Sequence, residues 1–368
     1  MRYFKSFIIL ACFLFLIPPG LLQAGTLVYP DSSTAVIQKS KGGELPGNRY
    51  LAPVVSLLPG VLYHGLGASY LGYEKDSRSL ANLELIGLGL AGLGGMVAFL
   101  SGGSGDLYPI YIPLIWSGGA LFINSYLFDF FGTFQPEGPL PPLGPRASGR
   151  ISYTYLEDGL DNIFRILSLD GSWSGLGFNL RGRGMMDRDK YSRLDLEIDR
   201  RVSLGSGRLS QLYLGAQGGR ESVEVNLRNF VAGLTSYPII IKAGGEFFLG
   251  DFMRFSRSVK FSPEVAYLFQ GIRVKGSNDY AYTLDPVIIN RVEWTPHRRV
   301  EIGVEHSVRP DLLIGQIHKW IGAVGVWARI FPLAGTEIFL GADFGDGYDL
   351  RVGIGYSLDQ KSKSKNQN

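Results

Sequence analysis

Cysteine and histidine are scarce in this chain of 368 residues, which contains one cysteine, Cys12, and four histidines. Cys12 lies in an N-terminal apolar stretch that we expect to be cleaved off. The mature chain would then have no disulfide, no zinc site with thiolate ligands and no cysteine nucleophile. The four histidines show no metal-ligand spacing. We predict no metal, no cofactor and no catalytic site.

An excess of charge of one sign is also missing. The formal net charge is +3, and lysine and arginine are spread along the chain outside its C-terminal tail. A nucleic-acid-binding surface would need a basic patch, so we predict no nucleic-acid partner. Glycine and aromatic residues are plentiful instead, with 50 glycines, 22 phenylalanines and 19 tyrosines. This composition favours strands, turns and membrane interfaces.

The N-terminus has the pattern of a secretory signal peptide over residues 1–24. A short basic start precedes the apolar run Phe7 to Ile17, and small residues before Gly25 form a cleavage site. A lipoprotein signal at Cys12 is the alternative, but the apolar run before this cysteine is too short. Residues 25–50 are polar and rich in turn residues, and they are predicted to form a periplasmic lead-in.

Residues 51–134 carry little charge and are predicted to contain an apolar helical hairpin. The runs Leu85 to Leu100 and Tyr108 to Phe131 are close to membrane length, and a serine–glycine turn separates them. The first run contains glycines whose spacing would let a second helix approach closely. These glycines are Gly87, Gly89, Gly92, Gly94 and Gly95. Such a pair would ordinarily hold a protein in the inner membrane, whereas a hairpin against or inside a barrel remains an alternative.

A proline-rich segment, residues 135–147, is predicted to be a linker because five prolines forbid a helix or a central strand. From residue 148 to residue 358 the hydrophobic period changes to two. Leu194, Leu196 and Ile198, for example, alternate with charged neighbours. Successive side chains of a strand point to opposite faces, so these runs have one apolar and one charged face. Residues 359–368 form a polar tail that contains lysine.

A soluble β-sandwich has the same period, but aromatic residues near the ends of the runs match the girdles of a membrane barrel. These aromatics are Tyr153, Trp173, Tyr213, Tyr282, Trp294, Trp320, Trp327 and Tyr356. Thirteen candidate runs can be counted: 148–157, 162–174, 175–187, 191–204, 207–220, 222–234, 238–250, 261–274, 280–295, 298–310, 317–331, 336–344 and 348–358. Because single-chain bacterial barrels have even strand numbers, we predict about twelve strands.

In these features the chain resembles bacterial outer-membrane β-barrel proteins. The last run, Leu350 to Leu358, is similar to the terminal strand by which such barrels are recognised for assembly, although ten polar residues follow it. The resemblance implies an all-β transmembrane antiparallel barrel, preceded by the glycine-rich apolar helical hairpin. It also implies the outer membrane of a Gram-negative-type bacterium as location. The implied partners are outer-membrane lipid, lipopolysaccharide and, during biogenesis, the barrel-assembly machinery.

The charged faces of the predicted strands provide the candidate functional residues, which we expect to line the barrel lumen. They are Arg181, Arg183, Arg193, Asp195, Glu197, Asp199, Glu224, Arg228, Glu301 and Glu305. Both signs occur in similar number, so cross-strand ion pairs should fill the interior. This favours a structural, surface-exposed or small-pore protein, because an ion-selective channel would show one dominant sign.

Two other functional classes remain open. The first is a periplasmic β-domain that the hairpin anchors in the inner membrane. The second is a barrel enzyme acting on lipid, which needs His306 or His64 beside a serine and an acid in three dimensions. His306 and Ser307 are neighbours on a regular strand and face opposite sides, so they cannot act together.

Overall fold

The computed structural model describes residues 50–134, 147–157, 162–175, 177–188, 190–204, 209–227, 230–253, 255–308, 322–345 and 348–358. The predicted signal peptide, the C-terminal tail and all of the predicted linker except residue 147 lie outside these ranges. The chain divides into two compact units. The helical unit comprises the chain up to Phe134 together with the segment Phe252–Phe255, and the barrel unit contains the remainder.

The helical unit begins with the short helix α1, Ala52–Leu57, and a 3-10 turn, Pro59–Val61. Helix α2, Leu66–Tyr70, follows, and the long helices α3, Glu74–Leu100, and α4, Tyr108–Phe134, form a hairpin. Glu74 and Asp76 lie in the first turn of α3, where carboxylates interact favourably with the helix dipole. The helical hairpin predicted from the sequence is therefore present.

Helices α3 and α4 approach each other closely at glycine residues. A β-carbon on Gly87 would lie 2.7 Å from the backbone nitrogen of Phe122, and one on Gly94 would lie 2.8 Å from the backbone nitrogen of Ile115. Gly118 of α4 faces the backbone of Ala91 equally tightly. The other three glycines of the α3 run have open space around them, so only part of the run serves helix contact.

The barrel unit contains twelve strands that pair antiparallel in chain order, and β1 pairs with β12 to close the barrel. The strands are β1 Ala147–Glu157, β2 Ile163–Gly175, β3 Phe178–Asp187, β4 Tyr191–Ser203, β5 Gln211–Leu227, β6 Phe230–Phe248, β7 Val259–Val274, β8 Ala281–His297, β9 Val300–Val308, β10 Ala323–Ile330, β11 Thr336–Phe344 and β12 Tyr348–Leu358. The predicted fold class, an antiparallel transmembrane barrel of about twelve strands after a helical hairpin, is confirmed.

The thirteenth candidate run arose from a split of two long strands into three. Strand β5 continues through Gly218 and Gly219, and strand β6 continues through Pro238, although these residues read as turn signals in the sequence. The pairing between β5 and β6 is interrupted only between Gly218 and Glu221, opposite Pro238, because proline has no N–H to donate. A β-carbon on Gly219 would meet the Asp195 carboxylate, so this glycine makes room for a side chain.

The two faces of the strands differ sharply in polarity. On β4 the outward residues Leu194, Leu196 and Ile198 are at least half exposed, whereas Arg193 and Asp195 on the inward face are buried. Similar exposed apolar residues occur on β1, β2, β10, β11 and β12, and together they form an outward belt. A soluble protein places its polar face outside, so this distribution is that of a barrel whose solvent is lipid.

Two of the aromatics predicted for the girdles face the interior instead. Trp327 shares the inward face of β10 with Arg329 and is only 8% exposed, and Tyr213 shares the inward face of β5 with Glu221. Trp173, Tyr282 and Tyr356 are exposed. Trp320 lies outside the described residues. Aromatic character alone therefore did not distinguish a girdle position from an interior one.

Candidate functional site

The inward face of β4 carries four of the predicted lumen residues. Arg193 Nε lies 2.6 Å from Asp195 Oδ2, and its Nη1 atom lies 3.8 Å from Glu221 Oε1 on β5. All three side chains are at most 7% exposed. Buried charges need partners of opposite sign, and here β4 itself and the neighbouring β5 supply them.

Lys242 on β6 is the central cation of the same region. Its Nζ atom lies 2.8 Å from Glu197 Oε1, 3.2 Å from Asp199 Oδ1 and 3.4 Å from Glu264 Oε2. The ammonium group also lies 5.3 Å from the ring centre of Tyr213, whose hydroxyl donates a hydrogen bond to Glu264. One cation thus connects the inward faces of β4, β6 and β7.

A second group of ion pairs joins the strands on either side of the β1–β12 closure. Arg150 Nη1 on β1 lies 3.3 Å from Glu337 Oε1 on β11, and Arg183 Nε on β3 lies 2.6 Å from Asp170 Oδ1 on β2. The guanidinium group of Arg150 also stacks over Phe339, with 4.7 Å between the Cζ atom and the ring centre. Arginine packs favourably on aromatic faces, so rings and charges share this part of the interior.

The remaining predicted lumen residues differ in position and in ion-pair partner. Glu301 is buried and lies 3.1 Å from Arg329, and Glu305 accepts a 2.7 Å hydrogen bond from Arg291 Nε. Arg181 shares the face of Arg183, by strand alternation. Arg228 lies outside the described residues.

The prediction for Glu224 was wrong. In the continuous pairing of β4 with β5, the inward positions of β5 are those of Glu221 and Val223, so Glu224 lies on the outward face. Its side chain is 41% exposed and pairs with Lys275, which is 76% exposed. The apolar neighbour Val223 misled the assignment, because this end of the barrel interior is itself apolar.

The ion pairs of the described strands form an interior network that runs around the whole barrel. Its cations are Arg150, Arg183, Arg193, Arg201, Lys242, Lys260, Arg291, Arg329 and Arg351. Its carboxylates are Asp170, Asp195, Glu197, Asp199, Glu221, Glu246, Glu264, Glu293, Glu301, Glu305, Glu337, Asp343 and Asp349. More carboxylates than cations take part. Sequence reasoning missed most of these residues, although the period-two alternation could have identified many of them.

An apolar cluster fills the interior at the end where β1, β3 and β5 finish. Phe164 and Ile166 of β2 are its most buried members, and Tyr191 donates a 3.0 Å hydrogen bond to Glu221 at the border with the ion pairs. The full cluster is Leu156, Phe164, Ile166, Tyr191, Val223 and Ala232, with Met185, Leu234 and Ile272 packed against it. A side-chain core of this kind narrows the lumen and resembles the filled interior of small barrels.

The helical unit contains a polar cluster of its own, formed by Ser56, His64, Glu84, Ser125 and Asp129. Asp129 of α4 is fully buried and accepts hydrogen bonds from the Ser56 hydroxyl at 3.1 Å and from the backbone N–H groups of Gly67 and Ala68. These donors compensate the burial of the carboxylate and fix α1 and α2 against α4.

His64 brings together the residue types that a lipid hydrolase would need. Its Nδ1 atom lies 2.5 Å from Ser125 Oγ and 4.0 Å from Glu84 Oε2. The contacts span 61 and 20 residues of sequence. The criterion set by the sequence, a histidine beside a serine and an acid, is therefore met by His64.

The geometry of this group differs from that of a catalytic triad. In a triad the serine and the acid bind opposite nitrogens of the imidazole, but here both face Nδ1. The Ser125 hydroxyl donates a hydrogen bond of 2.8 Å to the carbonyl oxygen of Phe122. His64 Nε2 is buried and has no polar partner among the described residues. Ser125 is also fully buried, and nothing in this arrangement activates its oxygen.

Burial lowers the pKa of His64 below its ordinary value, while the carboxylates of Glu84 and Asp129 act in the opposite direction. The imidazole is therefore neutral near pH 7. It packs against the rings of Phe122 and Tyr126, with ring centres 4.7 and 5.8 Å away. The cluster has the character of a buried structural contact between the α1–α2 region and the hairpin.

The other histidines that the structure describes lie in the barrel unit. His306 is partly buried on β9, opposite Asn290 and Val324 of the neighbouring strands. His297 at the end of β8 accepts a hydrogen bond from the Arg299 N–H. His318 lies outside the described residues. No group of three or more potential metal ligands occurs among the described residues.

No family model and no curated protein matches the chain. Among solved structures, the KdgM porin is 12% identical, with 57% of this chain and 99% of the porin covered and a TM-score of 0.37. The NanC porin is 9% identical, with 57% and 100% covered and a TM-score of 0.38. The translocator domain of the autotransporter NalP from Neisseria meningitidis is 12% identical, with 58% and 87% covered and a TM-score of 0.33.

Proposed function

We propose that this protein is an outer-membrane barrel with a structural, surface-exposed or small-pore role and no catalytic site. The observation that carries the proposal is the inverted polarity of the closed barrel, with exposed leucine and isoleucine outside and ion pairs inside. The acyl chains of the lipid would cover the apolar outward belt, and closure of the barrel leaves no strand edge unpaired. An anchored periplasmic β-domain would instead hide its apolar faces from water.

The filled interior favours a structural or narrow-pore role over wide passage. The interior network lines the barrel wall between neighbouring and next-neighbouring strands, and the apolar cluster adds buried side chains at one end. Because carboxylates outnumber cations in the network, any residual passage should favour cations. Outer-membrane lipid and lipopolysaccharide would contact the outward belt, and the barrel-assembly machinery would insert the exported chain after cleavage of its signal peptide.

A lipid-hydrolysing enzyme is the second candidate, since His64 lies beside Ser125 and Glu84. Ser125 and Glu84 both face the same nitrogen of His64, and the buried Ser125 hydroxyl donates to a carbonyl oxygen. These features favour a packing role for this group. Hydrolysis of phospholipid by the wild type and its loss in Ser125→Ala would support the enzyme and overturn the proposal of no catalytic site.

Single-channel recording of the purified full chain in planar bilayers tests the small-pore proposal. We expect the wild type to give low conductance or none, and Phe164→Ala to raise it, because this fully buried ring belongs to the apolar cluster. Leu167→Ala on the outward face of the same strand is the matched control and should leave the conductance unchanged. Large, stable channels in the wild type would contradict the proposal.

A further inference from the structure

Helix α3 presents an apolar stripe whose side chains are exposed in the described part of the chain. Leu85, Leu88, Met96 and Phe99 are each at least half exposed. Between them, Gly89 and Gly92 have open space where a side chain would lie. These positions recur every three to four residues, so they occupy one side of the helix, opposite the tight contact of Gly87 with α4.

The hairpin does not have the burial of a soluble core. Among the most apolar 18 residues of α3, only 17% are buried. The corresponding share in residues 110–134 is 33%. Both helices are long and apolar enough to cross a membrane. Monomeric soluble proteins rarely expose apolar patches of this extent, so the stripe requires an apolar partner.

The length of the uncharged part fits the outer membrane. From Leu85 to Leu100 no residue is ionisable, and at 1.5 Å per residue this stretch spans about 24 Å. The apolar band of outer-membrane barrels is about 25 Å tall, whereas a typical bilayer core is about 30 Å thick. This stretch of α3 therefore matches the height of a barrel's belt better than the thickness of a typical bilayer.

Polar groups lie at both ends of this stretch. Glu84 and the other members of the helical unit's polar cluster mark one end. The turn with Ser101 and Asp106 marks the other end, and its side chains are exposed or partly exposed. Between Phe134 and the barrel the sequence has only about twelve residues, which reach at most about 40 Å when fully extended. The hairpin cannot cross one membrane while the barrel lies in a distant second one.

From these observations we propose that the α3–α4 hairpin is inserted in the lipid of the outer membrane, with the stripe of α3 in contact with acyl chains. The inference rests on the proposed function, which places the barrel in that membrane. The protein would then cross one bilayer with both strands and helices. The buried polar cluster would stabilise the hairpin at the membrane interface, where the carboxylate of Asp129 and the hydroxyls of Ser56 and Ser125 are hydrogen-bonded internally.

Spin labelling in the full chain tests this inference, in a Cys12→Ala background reconstituted in vesicles of phosphatidylethanolamine and phosphatidylglycerol. Gly92→Cys places the label at the centre of the stripe, where the structure has open space. Arg78→Cys, exposed on the polar first turns of α3, is the matched aqueous control. Leu194→Cys on the outward face of β4 is the lipid control for the barrel. The measured quantities are collision rates with oxygen, which concentrates in lipid, and with a water-soluble nickel chelate.

We expect the oxygen-to-nickel collision ratio to be several-fold higher at residue 92 than at residue 78 and to match that at residue 194. A nickel-accessible label at residue 92 beside a lipid-exposed one at residue 194 would overturn the hairpin inference and leave the barrel proposal intact. Low collision rates with both reagents at residue 92 would place the stripe inside protein and also overturn it. Nickel accessibility at residue 194 would refute the proposed function itself.

Discussion

Replacement of Lys242 by methionine tests the interior network at its most connected cation. The Nζ atom lies within 3.4 Å of carboxylate oxygens of Glu197, Asp199 and Glu264, and the side chain is 7% exposed. Lys242→Met keeps most of the side-chain volume but leaves three carboxylates facing one another. The Coulomb attraction of each charge pair at ~3 Å is about 5 kcal/mol at an effective dielectric constant of 20, before the cost of desolvation is subtracted. Loss of one partner from a buried ion pair costs about 3–5 kcal/mol in measured cases, and we expect a destabilisation of that size.

The assay is urea unfolding of the full chain in detergent micelles, followed by the gel mobility of the compact form. Lys275→Met is the matched control, because Lys275 also pairs with a glutamate but is 76% exposed, and its loss should cost less than ~1 kcal/mol. Lys242→Arg should retain most of the stability because it keeps the charge. Equal unfolding midpoints for Lys242→Met and Lys275→Met would refute the idea that interior ion pairs hold the barrel together.

Three further outcomes concern the helical unit and can be measured by limited proteolysis of the full chain. Gly87→Ala should destabilise the hairpin by about 1–3 kcal/mol, because its β-carbon would press on the backbone of α4. Gly89→Ala, which meets open space, should be neutral or stabilising by up to ~1 kcal/mol. Burial lowers the pKa of His64, so below about pH 6.5 the unfolded chain binds the extra proton and stability should fall by up to ~1.4 kcal/mol per pH unit. His64→Gln should remove that slope, and an unchanged slope would contradict the assignment. Asp129→Asn should cost about 1–3 kcal/mol, because an amide cannot accept from all its donors, while Asp106→Asn in the exposed turn should have no effect.

The barrel could be predicted from the sequence because its signal is local. An alternation such as Leu194, Asp195, Leu196 and Glu197 determines both the strand and its faces. The predicted strand boundaries were wrong where a residue has two possible roles. Pro238 and the nearby glycines usually mark turns, but in β5 and β6 they occupy strand positions at which a hydrogen bond or a side chain is missing.

The sequence interpretation assigned side chains to the wrong face of the barrel near the end of a strand. The apolar cluster reverses the polarity of the interior at one end of the barrel. Val223 therefore faces inward and Glu224 outward, contrary to the sequence interpretation. A single strand does not reveal this reversal, because it depends on side chains from five strands that meet in space.

The polar cluster of the helical unit was beyond the reach of sequence patterns. His64 meets Glu84 and Ser125 only after the hairpin has formed, since their separations of 20 and 61 residues follow no helical or strand period. The lone acid Asp129 in an apolar run was the only available signal. A carboxylate in such a run indicates a buried network, but not which residues donate to it.

The most direct test of the central claim, a closed transmembrane barrel in the outer membrane, is heat modifiability. Inner and outer membranes are separated, and the gel mobility of the protein is compared before and after boiling. We expect the protein to occur in the outer-membrane fraction and its band to shift on boiling, because the closed hydrogen-bonded barrel stays compact in detergent until heated. An unshifted band in the inner-membrane fraction would contradict an outer-membrane barrel and favour a periplasmic β-domain anchored by the helical hairpin.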